Sequence, residues 1–567
     1  AADLSATTDA LGRDVVSLVL RSPNPAPPPA VKLVFMHPAI DIQGKWHPDA
    51  RHDRSLPPDW AGGFNARMIR AAPVWCLYNL AGQNRLTFAC SDAIHPVDLR
   101  AGLHEETGQF KCELGLCHHP HRHVTEYRAE LLIDARDVPY TRSLDDVRRW
   151  WEDDCGYAPL TAPAVARKPF YSTWYSFHQQ LNPERLMTQC RLARALGCEA
   201  VIVDDGWQTT DDNRGYAYCG DWQPVRLPQL NALIEQVHAI DMKFLLWYST
   251  PLIGQHSEAF KRFDGRYLEF IESAGAAVAD PRFPDVRQYL IETFTTAVRD
   301  RRLDGLKLDF VDFFDHFKAT PFRNGMDYEL VAEATERLLN DLTTMLREIN
   351  PDILIEFRQP YTGPVMRQFA NMLRSYDCPA DAITNRVNTI DLRLLVGDTA
   401  VHSDMFMWHK DEPVEIAALQ LLNVLFSVPQ VSVMIDALEP PYLEMIRFWL
   451  TFWREHSDVL LDGELLPLHP EGLYPIIQAC TKKKCVIACY ADQVVPMPAE
   501  LPCDVFLINA SSQDRLILEM SADLGDVRVE TFNCRGWQQH RGTQTLAKGI
   551  ARIDIPRSGL AHLRVKP

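Results

Sequence analysis

The sequence predicts an α/β protein, a (β/α)8 barrel flanked by an N-terminal β-sandwich and a C-terminal antiparallel β-domain. Three observations predict it. From about residue 165 to 455, eight short apolar segments alternate with amphipathic stretches of helical period. On either side, the pattern changes to short alternating strands broken by Pro and Gly. The 567 residues, 46% hydrophobic and 10% aromatic, can bury several cores and exclude disorder for most of the chain.

Taken in order, VVSLVLRS, VKLVFMH and YRAELLIDA read as strands, and Pro23, Pro25, Pro27, Pro28 and Pro29 mark a loop between the first two. SLDDVRRWWEDD (143–154) reads as a bridging helix capped by Ser143, with Asp145 and Asp146 in its first turn. The barrel strands are expected in FYSTWYSF, EAVIVDD, KFLLWYS, GLKLDF, ILIEFR, NMLRSYD, VHSDMFM and VSVMIDA. GAAVADP is placed in a long loop after the third of these. YPIIQAC, KCVIACY, DVFLINA, DRLILEM, VRVETFN and AHLRVK return to β texture. The expected units are therefore 1–150, 151–458 and 459–567.

The 58 basic and 75 acidic residues give a net charge of −17, which argues against nucleic-acid or anionic-membrane binding. The most apolar stretch, Ile416 to Ile435, is interrupted by polar residues and Pro429. It reads as a buried helix and strand, not a membrane span. The 14 scattered cysteines are expected as free thiols, Cys480, Cys485 and Cys489 among them, and no signal peptide is visible. These features predict a cytoplasmic protein. The strip Cys112, Cys117, His118, His119, His121 and His123 lacks zinc-site spacing and reads as ordinary strand or loop. Asn509-Ala510-Ser511 matches a glycosylation sequon, which means little without a secretory signal.

In such a barrel, functional residues gather where strands end. Strand two ends in Asp204-Asp205-Gly206-Trp207, strand three in Trp247-Tyr248, and strand four in Lys307-Leu308-Asp309. Strand five ends in Glu356-Phe357-Arg358-Gln359 and strand six in Arg374-Ser375-Tyr376-Asp377. Strands seven and eight carry Asp404 and Asp436. Acids and tryptophans around one mouth suit a carbohydrate, since carboxylates accept hydroxyl hydrogen bonds and indoles stack on sugar rings. Paired carboxyls also suit glycosidic cleavage, one attacking and one protonating the leaving oxygen. Lys307 and Asp309 face the same way in a strand, so the ammonium would hold Asp309 ionised. Asp377 could supply the acid. Each motif alone has a plain structural alternative: Asp204-Asp205 as a turn, or Trp207, Trp222 and Trp247 as core. Their order at successive strand ends carries the reading.

That order resembles glycoside hydrolase family 36, the α-galactosidase (melibiase) family of clan D. STW, VDDGW, GDW, KFLLWY, DPRFPDVRQYL and LKLDF follow the family's sequence of motifs over about a quarter of the chain. The resemblance implies Asp309 as nucleophile and Asp377 as acid/base. It implies Asp204 and Asp205 on the sugar's O4 and O6, and Lys307 on hydroxyls beside the nucleophile. It implies Trp247 in the pocket wall, with Trp174 and Trp222 as weaker candidates; Trp207 of VDDGW is counted among the substrate-binding residues. It also implies a retaining mechanism, with carboxyls about 5–5.5 Å apart, and neither metal nor organic cofactor.

Two departures stand out. The family's Cys-Ser-Gly-Gly segment after strand five is replaced by Phe357-Arg358-Gln359-Pro360-Tyr361-Thr362-Gly363. Arg358 and Gln359 there could read a different hydroxyl pattern, an N-acetyl group or an anionic substituent, or Arg358 could pair with an active-site acid. After strand six, Asp377 and Asp381 are spaced differently from the family's acids, leaving Asp381 as the alternative acid/base. The expected activity is an exo-acting α-glycosidase on a terminal α-linked sugar. The alternatives are a transglycosylase like the raffinose-synthase relatives, a glycosidase for a modified sugar, and a silent sugar-binding protein. Oligomeric state is not legible.

Overall fold

The computed structural model describes residues 1–315, 317 and 321–565. The eight apolar segments form one parallel barrel sheet: β1 (Phe170–Ser172), β2 (Ala200–Val203), β3 (Lys243–Ser249), β4 (Gly305–Asp309), β5 (Leu354–Arg358), β6 (Met372–Arg374), β7 (Ala400–His402) and β8 (Gln430–Val431). The order runs β7-β6-β5-β4-β3-β2-β1-β8. Parallel bridges His402↔Val428 and Phe406↔Val431 close the ring. These strands are buried on both faces, which is why they read as apolar runs and not as alternation. Gly305 is required where β4 meets β5, because a Cβ would stand 2.4 Å from the Leu354 carbonyl oxygen.

The bridging helix is α1 (Tyr140–Asp153). The barrel's outer helices are α2 (Pro183–Leu196), α3 (Leu230–His238), α4 (Pro284–Arg301), α5 (Val331–Ile349), α6 (Ala382–Val396), α7 (Val414–Leu422) and α8 (Pro440–Glu455). A single 3-10 turn, Met366–Gln368, lies between β5 and β6. Local sequence explains the ends of α2. The Asn182 side chain accepts from the Arg185 N–H, Pro183 opens the helix, and left-handed Gly197 stops it. On α5, Val331, Ala334, Leu338, Leu342 and Leu346 recur at three- and four-residue spacing and face the barrel core. GAAVADP contributes Ala276–Ala279 to a small antiparallel sheet after β3.

The N-terminal region packs a six-stranded sheet on a four-stranded one around Trp75, Phe88 and Leu114. The C-terminal region pairs seven- and three-stranded sheets around Ile487, Leu507 and Leu563.

Three local expectations are corrected. The bridging helix starts at Tyr140 behind Pro139, and Ser143 lies inside it, its hydroxyl committed to Asp134 at 2.7 Å. Pro23 and Pro25 extend the strand Asp14–Ala26 where its ladder to Val124–Asp134 is interrupted, so they cost no pairing. Cys480 and Cys485 are disulfide-bonded and not free thiols, because antiparallel pairing sets them opposite each other. Among the described residues, no helix is long and apolar enough to cross a membrane. The Asn509 amide is spent on the Gln513 and Ile555 carbonyls inside the fold.

The units are joined by buried charge. Asp391 of α6 accepts from Trp46, from Arg54 and from Tyr474, uniting all three. At a second junction His95 bonds Asp92 at 3.0 Å and reaches Glu333 of α5 at 3.4 Å. Burial opposes its charge, but Asp92 and Glu333 outweigh this and push the imidazole up to about 10, above its ordinary 6.5. A raised folded pKa contributes stability that is complete below about pH 6.5 and lost as pH climbs toward 10. His95→Gln is therefore expected to cost about 3 kcal/mol near pH 6, shrinking strongly by pH 9.5. Urea unfolding at both pH values checks this, and an equal cost at the two would refute the charged bridge.

Candidate active site

The parallel register places the strand-end residues side by side. Trp247 pairs with Lys307, Lys307 with Glu356, Arg358 with Arg374, and Arg374 with His402. A cavity of about 650 Å³ opens at these ends. Its lining includes Trp174, Asp204, Asp205, Trp247, Lys307, Asp309, Arg358, Arg374 and Asp377. The sequence reading named all of these as strand-end or wall candidates.

Asp309 is buried and fully coordinated. Its Oδ1 accepts from Arg358 Nε at 2.6 Å and from its neighbour's N–H at 2.8 Å, with the Tyr361 hydroxyl at 3.4 Å. Oδ2 accepts from the Trp247 indole at 3.0 Å. Burial alone would raise its pKa. Arg358 and Lys307 overcome this and hold the carboxyl well below the usual range, so it is ionised. Arg358 is thus paired with a carboxylate of the cavity. Its Nη1 donates to the Gln359 carbonyl, and its plane lies against Phe310 and Tyr361. Asp312 stands 3.8 Å from Arg358, and burial pushes its carboxyl up to about 6.

Lys307 donates to Asp204 at 2.6 Å. Asp205 has no cation partner. It accepts from Gln179, Gln208 and the Gly215 N–H, and burial raises its pKa. Gly206 makes this turn possible: its φ is +113°, and a Cβ would lie 2.7 Å from the Gln179 backbone.

Across the barrel, buried Arg374 joins three acids. It meets Asp404 through Nη1 and Asp377 through Nη2 at 2.8 Å, and its Nε lies 3.7 Å from Glu356. Asp377 is half exposed, at 53% of its side-chain area, and faces the cavity. Burial would raise its pKa, but Arg374 and Lys307 lower it. Asp404 is fully buried, which raises its own, and it also accepts from Tyr175 at 2.9 Å. The two carboxyls share one guanidinium and titrate as a pair, with the proton favoured on Asp404.

Five of the sequence candidates fall outside the cavity lining as follows. Trp207 is buried beneath it, its indole donating to the Trp247 carbonyl and stacked on Trp222. Gln359 turns away and accepts from the Tyr376 N–H. Asp381 caps α6, accepting from the Thr384 N–H at 3.0 Å. Trp222 is likewise core, and Asp436 lies near Arg185 at 3.5 Å, not in the cavity. The cavity also contains His178, Arg214, Tyr216, Phe310, Pro379 and Met407, which the sequence reading did not name. His178, Arg214 and Tyr216 sit in loops or short turns, where no strand period marks an inward side. The Cys/His strip disperses: His118 meets the Val31 carbonyl, His121 stacks on His95, and His123 meets Glu329.

Residues 165–357 match the melibiase family model. This stretch is similar to the melibiase family. It contains β1 to β5 with Asp204, Asp205, Trp247, Lys307 and Asp309. Over 193 residues the chain is 27% identical to "Alpha-galactosidase 2" of Pediococcus pentosaceus, covering 33% of this chain and 27% of that protein. Over 148 residues it is 29% identical to "Alpha-galactosidase AgaA" of Geobacillus stearothermophilus, covering 24% and 20%. The matched part therefore spans about a quarter of these relatives' length. The crystal structure of the Geobacillus stearothermophilus GH36 α-galactosidase AgaA aligns with a TM-score of 0.66 at 16% identity, covering 99% of this chain and 83% of that one. The α-galactosidase TtGalA of Thermus thermophilus aligns at 0.52 and 15% identity, covering 84% and 98%. The stretch that matches the melibiase model thus lies in a chain whose fold, over 99% of its length, is similar to that of the AgaA structure.

Proposed function

We propose that the protein is a retaining, exo-acting α-glycosidase of α-galactosidase type, with Asp309 as nucleophile and Asp377 as acid/base. The observation that carries this is Asp309, a buried carboxylate held ionised by Arg358 and Lys307 in a cavity that Asp377, two strands further round the barrel, also lines. The melibiase match and the α-galactosidase relatives support the sugar class. Of the two Asp309 oxygens, Oδ2 has a single donor, Trp247, and is the freer to attack.

In the first step that oxygen bonds to the anomeric carbon as the glycosidic C–O bond breaks, and Asp377 gives its proton to the departing oxygen. In the second, Asp377 takes a proton from water, whose oxygen displaces Asp309. Arg374 and Lys307 lower the pKa of Asp377, and a bound sugar that shields it from water raises it toward the proton-carrying form this step needs. Asp204 and Asp205 accept hydroxyl hydrogens on the far wall, with Lys307 beside them. The units drawn at 1–150, 151–458 and 459–567 put all of these residues in the middle one.

The test is a screen of aryl α-glycosides, including galactoside, N-acetylgalactosaminide and uronide, followed by variants of the two candidate acids. Asp377→Asn is expected to slow a poor leaving group on the order of 100-fold more than dinitrophenolate, which needs no proton. Asp381→Asn is expected to keep near-parental turnover and near-parental stability, because Asn caps a helix about as well as Asp. The reverse pattern would move the acid/base role to Asp381. An added acceptor sugar separates hydrolysis from transfer.

A further inference from the structure

We propose that the terminal sugar carries an anionic group and that Arg214 is the residue that takes it. This deepens the glycosidase reading and rests on it. The cavity holds four permanent cations, and three are spent. Lys307 is on Asp204, Arg374 is among Asp404, Asp377 and Glu356, and Arg358 is on Asp309. The sequence left Arg358 open as a reader of a substituent or as the partner of an acid, and its guanidinium is neutralised by Asp309.

Arg214 is different. Among the described residues it has no carboxylate partner and makes no side-chain hydrogen bond. Its guanidinium lies 4.6 Å from the centre of the Trp174 ring, inside the cavity wall. Stacking on an indole holds the plane of an arginine without using any of its five in-plane N–H donors. The result is an unspent fork, exposed at the cavity wall against Trp174, which matches a carboxylate or a sulfate. Its backbone is fixed. The next residue, Gly215, donates its N–H to Asp205 and accepts from Gln208, and a Cβ there would stand 2.5 Å from the Gln208 amide.

This anchoring says where the anion sits. Arg214 is on the Asp205 side, at the end of β2, while Asp377 follows β6, on the opposite side of an eight-stranded ring. The leaving group departs past Asp377, so the charge belongs to the sugar and not to the aglycone. Asp205 tolerates it, having no cation to be drawn away and three donors, Gln179, Gln208 and the Gly215 N–H, that hold its carboxyl in place.

Binding to the intact protein tests this without requiring turnover. Methyl α-galactoside, methyl α-galacturonide and methyl α-galactoside 6-sulfate are titrated calorimetrically into the parent, Arg214→Gln and Arg214→Lys. The expected result is that at least one anionic sugar binds about tenfold or more tightly than the neutral one. The two anions distinguish a carboxylate from a sulfate ester. That ratio falls to near one in Arg214→Gln, and Arg214→Lys recovers part of it. A 4-carboxyphenyl α-galactoside gains nothing over its phenyl counterpart. The proposal is overturned if the parent shows no anionic preference, if the preference survives Arg214→Gln, or if only the charged aglycone is favoured. Hydrolysis of a neutral aryl α-galactoside is read separately. A protein that prefers the anionic sugar through Arg214 yet cleaves no glycoside would sink the glycosidase reading and leave this one standing.

Discussion

Asp309→Ala is expected to lower kcat on the best aryl α-glycoside by on the order of 10⁴-fold or more, and small anions are expected to restore part of the lost rate. The physical reason is the environment that ionises Asp309. Arg358 and Lys307 remain after the carboxylate is removed, so the vacated space is a cation-lined hole beside the anomeric carbon. Azide or formate should enter it and attack from the nucleophile's face. With azide, the nitrogen–carbon bond forms as the aryl oxide leaves, giving a glycosyl azide of configuration opposite to the substrate. Asp377→Ala should respond to azide in the contrary sense. There the covalent intermediate forms on Asp309 from an activated substrate, and azide displaces it with the substrate's configuration. Product configuration by NMR in the two variants decides the roles. Retention from Asp309→Ala, or near-parental turnover in it without azide, would refute the nucleophile assignment. Loss of Asp309 also strands Arg358, so Asp309→Asn, which keeps the volume, is the control for folding.

The fold was legible because barrel strands are buried on both faces. AVIV and KFLLWYS are continuous apolar runs, and a helical stripe such as that of α5 has one period throughout. The charged lining of the cavity was legible for a related reason: Lys307, Asp309, Arg358 and Arg374 are polar residues where apolar runs stop. Trp207 misled because Gly206 turns the chain at positive φ and sends the indole below the mouth. Asp381 misled although its signal was present. An Asp three residues before Thr384, ahead of an apolar run, marks a helix cap. Arg214, Tyr216 and His178 were invisible, since loop residues enter a cavity by tertiary placement alone. The Cys480–Cys485 bond had a trace, two strands joined by a lysine turn, but only the register makes the cysteines opposite.

The second large effect is expected at Arg374, whose importance lay unread beside the Asp377 that the sequence singled out. Arg374→Met removes a guanidinium that faces Glu356, Asp377 and Asp404 together. Met preserves most of the volume, so the loss is one of charge. Breaking a buried ion pair by deleting one partner costs about 3–5 kcal/mol. The pH dependence identifies the cause. Burial already raises the folded pKa of Asp404 and of Glu356, and losing Arg374 raises both further. A carboxyl whose folded pKa lies above its unfolded value destabilises the fold increasingly as pH rises past the unfolded value, and the penalty vanishes below it. The gap in Tm between the parent and Arg374→Met should therefore be wide at pH 8 and narrow near pH 4.5. A gap independent of pH would mean a packing defect. The same substitution frees Asp377, whose pKa should climb without its cation. If Asp377 is the acid, the alkaline limb of the kcat/KM profile moves to higher pH in the variant even as the rate falls. A limb that does not move would assign the proton to a carboxyl that Arg374 does not touch.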